Sequence, residues 1–548
     1  MEWPDDSLPH DLAGYHQRTK HAPNRYALGP AFLDWESQPD PFRRFAGARL
    51  VELPLGYDRP SPGFGELGGG ELGGGELGGA PVLPLDAGSL GLFLELGLGL
   101  SAWKAADGAR WAVRNNPSSG NLHPTEAYLV LPALEGIGKS AALWHYAVAE
   151  HALEERCIHD RAPDLPEGSF LVGLGSIVWR EAWKYGERAF RYVQHDIGHA
   201  VGSLSYAAAC LGWRLEVLAA PGDAEVAGWL GLDREDASHP YEREHPDLMA
   251  IIQTGGHTGA GGASCLALPE RPAGTWFGAA NAVSEDHEPW PVIDTALRVT
   301  VKPSGVVMPV RPVLEMPSLP APARSATEVI RARRSVMRMD GGRVLGLGAF
   351  YRMLAATLPD AGRIPWNAFP WPARLALFVF VHRVEGLERG LYALVRDPDS
   401  AQRLRAACSP EFAWEHVPDC PLPLFRLSPC DLERKASQLS CLQAIAGKGA
   451  FSLGMVADFA RTLKEEGDWA YRRLFWEAGL IGQVLYLEAT AAGVSGTGIG
   501  CFFDDAVHET LGIDGTALEW QSLYHFTVGM AVEDPRIATE PAYGHLER

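Results

Sequence analysis

The chain has 548 residues, 46% of them hydrophobic and 21% charged, with a net charge of −20. That length exceeds what a single hydrophobic core usually supports, so two domains are expected. The acidity excludes a general nucleic-acid binder, which needs clustered Lys and Arg against phosphates, but leaves room for a local basic pocket.

The N-terminus, Met1-Glu2-Trp3-Pro4-Asp5-Asp6, lacks the basic and apolar regions of a secretory signal. Eight cysteines are scattered without a CxxC pair, which fits free thiols in a reducing cytoplasm better than a zinc or disulfide framework. Residues 66–79 repeat ELGGG, too glycine-rich for a stable element, and predict a loop over 65–80. The apolar run from Leu90 to Leu100 is too short to span a bilayer, so no membrane partner is expected.

Next comes Arg114-Asn115-Asn116-Pro117-Ser118-Ser119-Gly120-Asn121-Leu122-His123-Pro124-Thr125-Glu126. Two hydroxyls and an amide beside a proline and a glycine predict a rigid turn rich in donors. Such a turn suits the polar edge of a flavin ring, and a polar turn carrying a helix cap explains the residues equally well. Ala127–Leu131 and Ala376–Val381 are strand candidates, and Leu523–Met530 closes the chain's last one.

Two long helical patterns, 188–212 and 469–493, align at an offset of 281 residues. The offset relates Arg191 to Arg472, Ala189 to Ala470, Gly198 to Gly479, Leu204 to Leu485, Ala208 to Ala489 and Gly212 to Gly493, which points to an internal duplication. Five prolines between Pro309 and Pro322 mark a linker, and Ser325 is placed to cap the helix that follows. The organisation read from the chain is therefore a first domain over 1–308, a linker over 309–322 and a second domain over 323–548. Each domain mixes helices with a small sheet, an α+β class.

Five segments carry a family resemblance. The turn at 114–126 resembles the RxxPSxGxxxPxE signature of the SagB/ThcOx-type branch of the nitroreductase superfamily. Lys184-Tyr185-Gly186-Glu187-Arg188-Ala189-Phe190-Arg191-Tyr192, followed by Asp196, Gly198 and His199, is similar to that branch's KYGxRAxRYxxxDxGH. Arg333-Arg334-Ser335 with Met339-Asp340-Gly341 resembles its RRSxxxFDG entry. Gly496 to Asp505 resembles GxGIGxFxDD, and Val528-Gly529 with Asp534-Pro535-Arg536 resembles the C-terminal VGxxxxDxR. The resemblance implies two tandem nitroreductase-like domains forming an intramolecular pseudo-dimer, an oxidoreductase, and FMN held between the copies; the cysteine pattern and the N-terminus add the expectation of a cytoplasmic location.

It also implies roles. The first copy would supply Arg114, Pro117, Ser118, Ser119 and Asn121, and the second Arg333, Arg334, Ser335, Gly498, Ile499, Gly500 and Arg536. Arg333 and Arg536 are the expected phosphate partners, since guanidinium binds phosphate bidentately. Met337 stands where homologues often carry another base, with Arg338 beside it. Lys184 and Tyr185 match the branch's catalytic Lys-Tyr pair, and one of them would need a depressed pKa to accept a substrate proton. The reciprocal site looks degraded, with Asn367 to Arg374 in place of the turn, His16 to His21 in place of the grip, and no glycine turn after Gly212. One FMN per chain is expected.

Asp196 and His199 stand three residues apart on one helix. They are read as a hydrogen-bonded pair and not as a metal site, since two ligands without a third partner are weak evidence. His16, Thr19 and Lys20 also resemble a recurrent feature of the branch, without a mechanistic account. The function implied is a dehydrogenase passing hydride to flavin, with azoline oxidation on a modified peptide as family precedent. The alternatives are an NAD(P)H-dependent reductase of small molecules and a scaffold within a peptide-modifying complex. No partner chain is required to complete the site.

Overall fold

The computed structural model describes residues 8–56, 61–67, 82–234, 240–255, 267–306, 319 and 322–546. The glycine repeat beyond Leu67, Cys265 and most of the proline-rich stretch lie outside the described residues.

Two antiparallel sheets dominate. In the first, the strands run Gly274–Trp276, Ala152–His159, Ala142–Ala147, Thr125–Leu131, Ser169–Ile177, Glu244–Gln253 and Arg214–Val217, in spatial order. In the second the order is Glu415–His416, Leu424–Pro429, Gly390–Leu394, Leu375–Val381, Phe451–Asp458, Trp520–Gly529 and Ser495–Ile499. The three strands read from the sequence are all present. Their β-branched and aromatic runs are buried on both faces, so they lack the polar alternation of a half-exposed strand.

The long helices observed are Ala189–Cys210 and Ala470–Ala491, one after each central strand. Both stop ahead of a glycine in the left-handed region, Gly212 at φ 69° and Gly493 at φ 76°, which a residue with a Cβ adopts only at a cost. The helices pack on each other at Gly198 and Gly479. A Cβ on Gly198 would lie 2.1 Å from the Trp476 carbonyl oxygen, and one on Gly479 would lie 2.1 Å from the His195 carbonyl oxygen. His195 and Trp476 are themselves 281 residues apart, so the contact is isologous, as in a two-fold dimer.

The offset reaches further than the long helices. It relates Asp223–Leu230 to Asp504–Leu511, and Thr19 after helix Leu12–Arg18 to Thr300 after helix Pro291–Val299. These pieces form two reciprocal latches. His21 N–H donates to Asp504 Oδ2 at 2.9 Å while Asp504 N–H donates to the His21 carbonyl at 3.1 Å. Lys302 N–H and Asp223 repeat the pattern at 3.0 and 3.0 Å. Residues near 300 thus repeat those near 20, ahead of the proline-rich stretch. A third sheet joins the C-terminal strand Ala538–Glu540 to the hairpin Leu100–Ala106/Ala109–Arg114 of the first half.

Candidate functional site

The turn after Arg114 is held by its own polar groups. Gly120, Asn121 and His123 take φ values of 60°, 62° and 51°. Asn and His tolerate that region better than most residues when side-chain hydrogen bonds support it. Here Asn121 Nδ2 donates to the Ala112 carbonyl at 2.7 Å, and its Oδ1 lies 3.0 Å from His123 Nε2. Ser118 Oγ accepts from His123 N–H at 2.8 Å and donates to Glu181 Oε1 at 3.3 Å. Ser119 N–H donates to Asp196 Oδ1 at 3.3 Å. Pro117 is buried beneath the turn. The hydroxyl and the amide read as ligand donors therefore build the turn itself.

The arginines of the second half close on this turn. Ser325 caps helix Ala326–Ala332 as expected, and the chain leaves that helix at Arg333. Arg333 donates from Nε to the Asn115 carbonyl at 3.0 Å and from Nη2 to the Arg114 carbonyl at 2.7 Å, while its Nη1 is buried without a partner. Arg334 donates to the carbonyls of Arg331, Arg333 and Ser101, each at 2.7 Å. Arg114 donates to the Pro41 carbonyl and leaves Nε unpartnered. No carboxylate pairs with any of the three among the described ion pairs. Burial pulls Arg114 and Arg334 down to about 10 and lowers Arg333. Cations taken out of water against carbonyls alone are costly, and an anionic group would offset that cost.

Ser335 joins the grip to the glycine segment. Its Oγ lies 2.7 Å from the Tyr486 hydroxyl, which accepts from Gly498 N–H at 2.9 Å, and Ser335 bridges Gly496. Ile499 anchors the segment in a core with Val507 and Trp520. A Cβ on Gly500 would lie 2.5 Å from the Tyr192 ring, and one on Gly120 would lie 2.6 Å from the Tyr185 hydroxyl. Tyr185 and Tyr192 meet edge to face at 4.7 Å. The two halves therefore bring Arg114, Ser118, Ser119, Asn121, Tyr185, Arg333, Ser335 and Gly498 to Gly500 into one neighbourhood. Arg536 does not join it. Its side chain is 74% exposed and holds Asp534 at 2.6 Å. Met337 is exposed, and the Arg338 carbonyl accepts from Val532 N–H.

The candidate pair splits in its acidity. Burial lowers Lys184, whose ammonium lies 5.5 Å from the centroids of the Trp35 and Tyr185 rings. Burial and the Glu181 charge raise Tyr185 well above its ordinary value. Lys184 thus moves in the direction a base needs, and Tyr185 is kept protonated.

Glu181 went unrecognised in the sequence, and Asp196 was read there only within the motif and as a partner of His199. Burial raises Asp196 to about 8, and burial together with the Asp196 charge raises Glu181 well above the carboxylate range. Each carboxyl keeps one buried oxygen without a partner, Asp196 Oδ2 and Glu181 Oε2, beside the Ser118-Ser119 turn. The expected Asp196–His199 pair does not form. Their i, i+3 spacing puts both on one helix face, but Asp196 turns to Ser119 while His199 Nε2 lies 3.1 Å from the Tyr524 hydroxyl. Among the described residues no His, Cys, Asp and Glu cluster could hold a metal. His16, Thr19 and Lys20 gain an account as the first latch, bonding Tyr471, Arg191 and Asp505.

The reciprocal place is filled. Trp371 packs against Trp469 and Trp476 and lies against Phe369. Glu477, the counterpart of Asp196, pairs with Arg396 and accepts from Arg374 N–H at 2.9 Å. Val217 and Ala219 stand at the positions of Gly498 and Gly500.

A profile described as the nitroreductase family matches residues 104–240 and again 391–530, together half of the chain. The chain belongs to the nitroreductase family. The matched residues include the turn, Lys184, Tyr185 and Gly498 to Gly500, while Arg333 to Ser335 and Arg536 lie outside them. A solved structure described as a "putative nitroreductase" from Anabaena variabilis ATCC 29413 is similar to 95% of this chain over 100% of its own, with 21% identity and a TM-score of 0.69. "Putative nitroreductase MJ1384" of Methanocaldococcus jannaschii is 24% identical over 157 residues, 29% of this chain and 64% of that relative. The E. coli microcin synthetase McbBCD complex matches at 19% identity over 37% of this chain and 69% of its own, with a TM-score of 0.28. The nitroreductase fold thus extends through both halves. No helix among the described residues is long and apolar enough to cross a membrane.

Proposed function

We propose that this member of the nitroreductase family is an FMN-dependent oxidoreductase of the SagB/ThcOx type, with one flavin held between its two repeats. The observation that carries the reading is the set of arginines without carboxylates. Arg114 and Arg333 are buried, Arg334 is half-buried, and all three bond only carbonyl oxygens where the turn of one half meets the grip of the other. Such a cluster suits a phosphorylated cofactor. At Gly498 and Gly500 a Cβ would meet the Tyr524 hydroxyl and the Tyr192 ring, so these glycines let tyrosine side chains lie against the backbone of the segment.

When bound, FMN would supply two-electron, hydride-transfer chemistry. The chain's own residues would manage protons and position. Lys184, lowered by burial, would accept the substrate proton as the hydride leaves, and Tyr185, kept protonated, would hold the substrate by a hydrogen bond. Glu181 and Asp196 would store a proton beside the turn.

The test is the visible absorption spectrum of the purified protein, with FMN quantified against folded chain and the spectrum repeated anaerobically with NADPH. About one FMN per chain is expected. Bleaching by NADPH would make the enzyme a reductase of small electron-poor substrates. Its absence would favour a dehydrogenase reduced by its own small-molecule or modified-peptide substrate. No flavin after reconstitution would sink the reading and leave a scaffold role.

A further inference from the structure

Away from the arginine cluster, the two latches differ in a way that the flavin reading does not use. At the first, the space beside Arg191 and Asp504 is packed with rings. His16 lies 4.7 Å from Phe459 and 5.8 Å from Tyr471, and Tyr471 lies 4.8 Å from Phe475. Asp504 is saturated, with Arg191 Nη1 on Oδ1 at 2.9 Å and Arg188 Nη1 on Oδ2 at 3.0 Å.

The 281-residue offset puts Leu297, Val178 and Gln194 at the positions of His16, Phe459 and Phe475. Smaller or flexible side chains leave a cavity of about 270 Å³, which these three residues help to line together with Asp223 and Arg472. The second arginine is missing too, since Trp469 stands at the position of Arg188. Arg472 Nη1 donates to Asp223 Oδ2 at 2.6 Å, and Asp223 Oδ1 is buried with no partner. Lys302 does not replace Arg188 at the carboxylate, because its ammonium is spent on the carbonyls of Ala219 and Pro221.

The other polar groups of the cavity are engaged or set back. Asp247 accepts from Ser176 at 2.6 Å, from Gln194 at 3.3 Å and from Arg472 at 3.3 Å. Burial pulls His245 down to about 4, which keeps it neutral, and Arg243 is exposed at the rim. One carboxylate oxygen without a donor, on a residue that lines a largely apolar cavity, calls for a cationic head on an apolar body.

We propose that this cavity binds a small organic ammonium ion, its N–H donating to Asp223 Oδ1 and its hydrocarbon body lying against Val178, Phe190 and Leu297. The site is separate from the arginine cluster, and it stands or falls independently of bound flavin.

The experiment is calorimetric titration of the full-length protein with phenethylammonium, and with 2-phenylethanol as the neutral isostere. The ammonium should bind at least ~10-fold tighter than the alcohol, because only it supplies a charged donor. Val178→Phe restores the ring found at Phe459, leaves the Asp223–Arg472 pair intact, and should abolish binding while melting no lower than the parent. Asp223→Asn should erase the preference for the amine. Equal binding of amine and alcohol, no amine binding at ~10 mM, or unchanged binding in a folded Val178→Phe variant would each overturn the proposal.

Discussion

Asp196 and Glu477 occupy equivalent positions on the two long helices and meet opposite surroundings. Asp196 receives one backbone N–H and keeps a buried oxygen unpaired. Glu477 is paired with Arg396 and accepts from Arg374 N–H. One half has kept a buried carboxyl without a cationic partner, and the other has paired its carboxylate with an arginine. An unpartnered buried carboxyl costs stability, and such cost persists where a ligand or a reaction makes use of it. The difference teaches that the two halves of this duplicated chain have diverged at equivalent buried positions.

The largest effect that could break the comparison lies on the shared axis. Gly198→Leu or Gly479→Leu should cost at least ~4 kcal/mol, since either side chain would meet a carbonyl at 2.1 Å. Chemical denaturation would show it, and a loss under ~1 kcal/mol would mean the helices can part freely.

The latches give the next test. Arg472→Ala leaves Asp223 without an arginine and should cost roughly 3–5 kcal/mol, whereas Arg191→Ala leaves Asp504 with Arg188 and should cost about half as much. Equal losses in urea titrations would show that the second arginine adds nothing.

Arg333→Ala should then weaken FMN binding by roughly 100-fold, measured by fluorescence titration, while Glu477→Gln leaves it unchanged. A large effect of Glu477→Gln would point to a second flavin site in the remodelled half.

Acidity offers a smaller effect. Asp196 is raised from 3.8 to about 8, so over that window the unfolded chain gives up a proton that the folded chain keeps. Stability of the flavin-free protein should therefore fall as pH rises through the window, with Glu181 acting in the same sense. Asp196→Asn should flatten that slope. A pH profile identical to the parent's would assign the slope to other groups. Arg536→Ala, at the exposed end of the series, should change FMN affinity less than twofold.

Much of this was legible in the residues. The duplication, the long helices, the strands and the Ser325 cap could be read because each leaves a local pattern of period, offset or punctuation. The turn at 114–121 was legible as a turn, and Arg333 and Ser335 as its partners through the resemblance. The destinations of side chains were not. Asn121 and Ser118 look the same in sequence whether they bond a ligand or their own backbone. Arg536 sits in a motif yet ends on Asp534, because a two-residue turn satisfies it locally. Glu181 and Asp196 lie 15 positions apart on separate helices, and no period announces that burial will keep them protonated. The correspondence of Thr19 with Thr300 was hidden because almost nothing around it is identical, and only the backbone bonds to Asp504 and Asp223 expose it.

Fusion of the two halves has a thermodynamic consequence. In a dimer of separate chains, a shared site disappears on dilution below the dissociation constant, and every substitution strikes both sites at once. Here the grip and the turn belong to one polypeptide, so bringing them together is unimolecular and does not depend on protein concentration. A substitution strikes one side only. That freedom from symmetry is what allowed Phe459 and Val178 to part ways, and it makes each half separately available to selection.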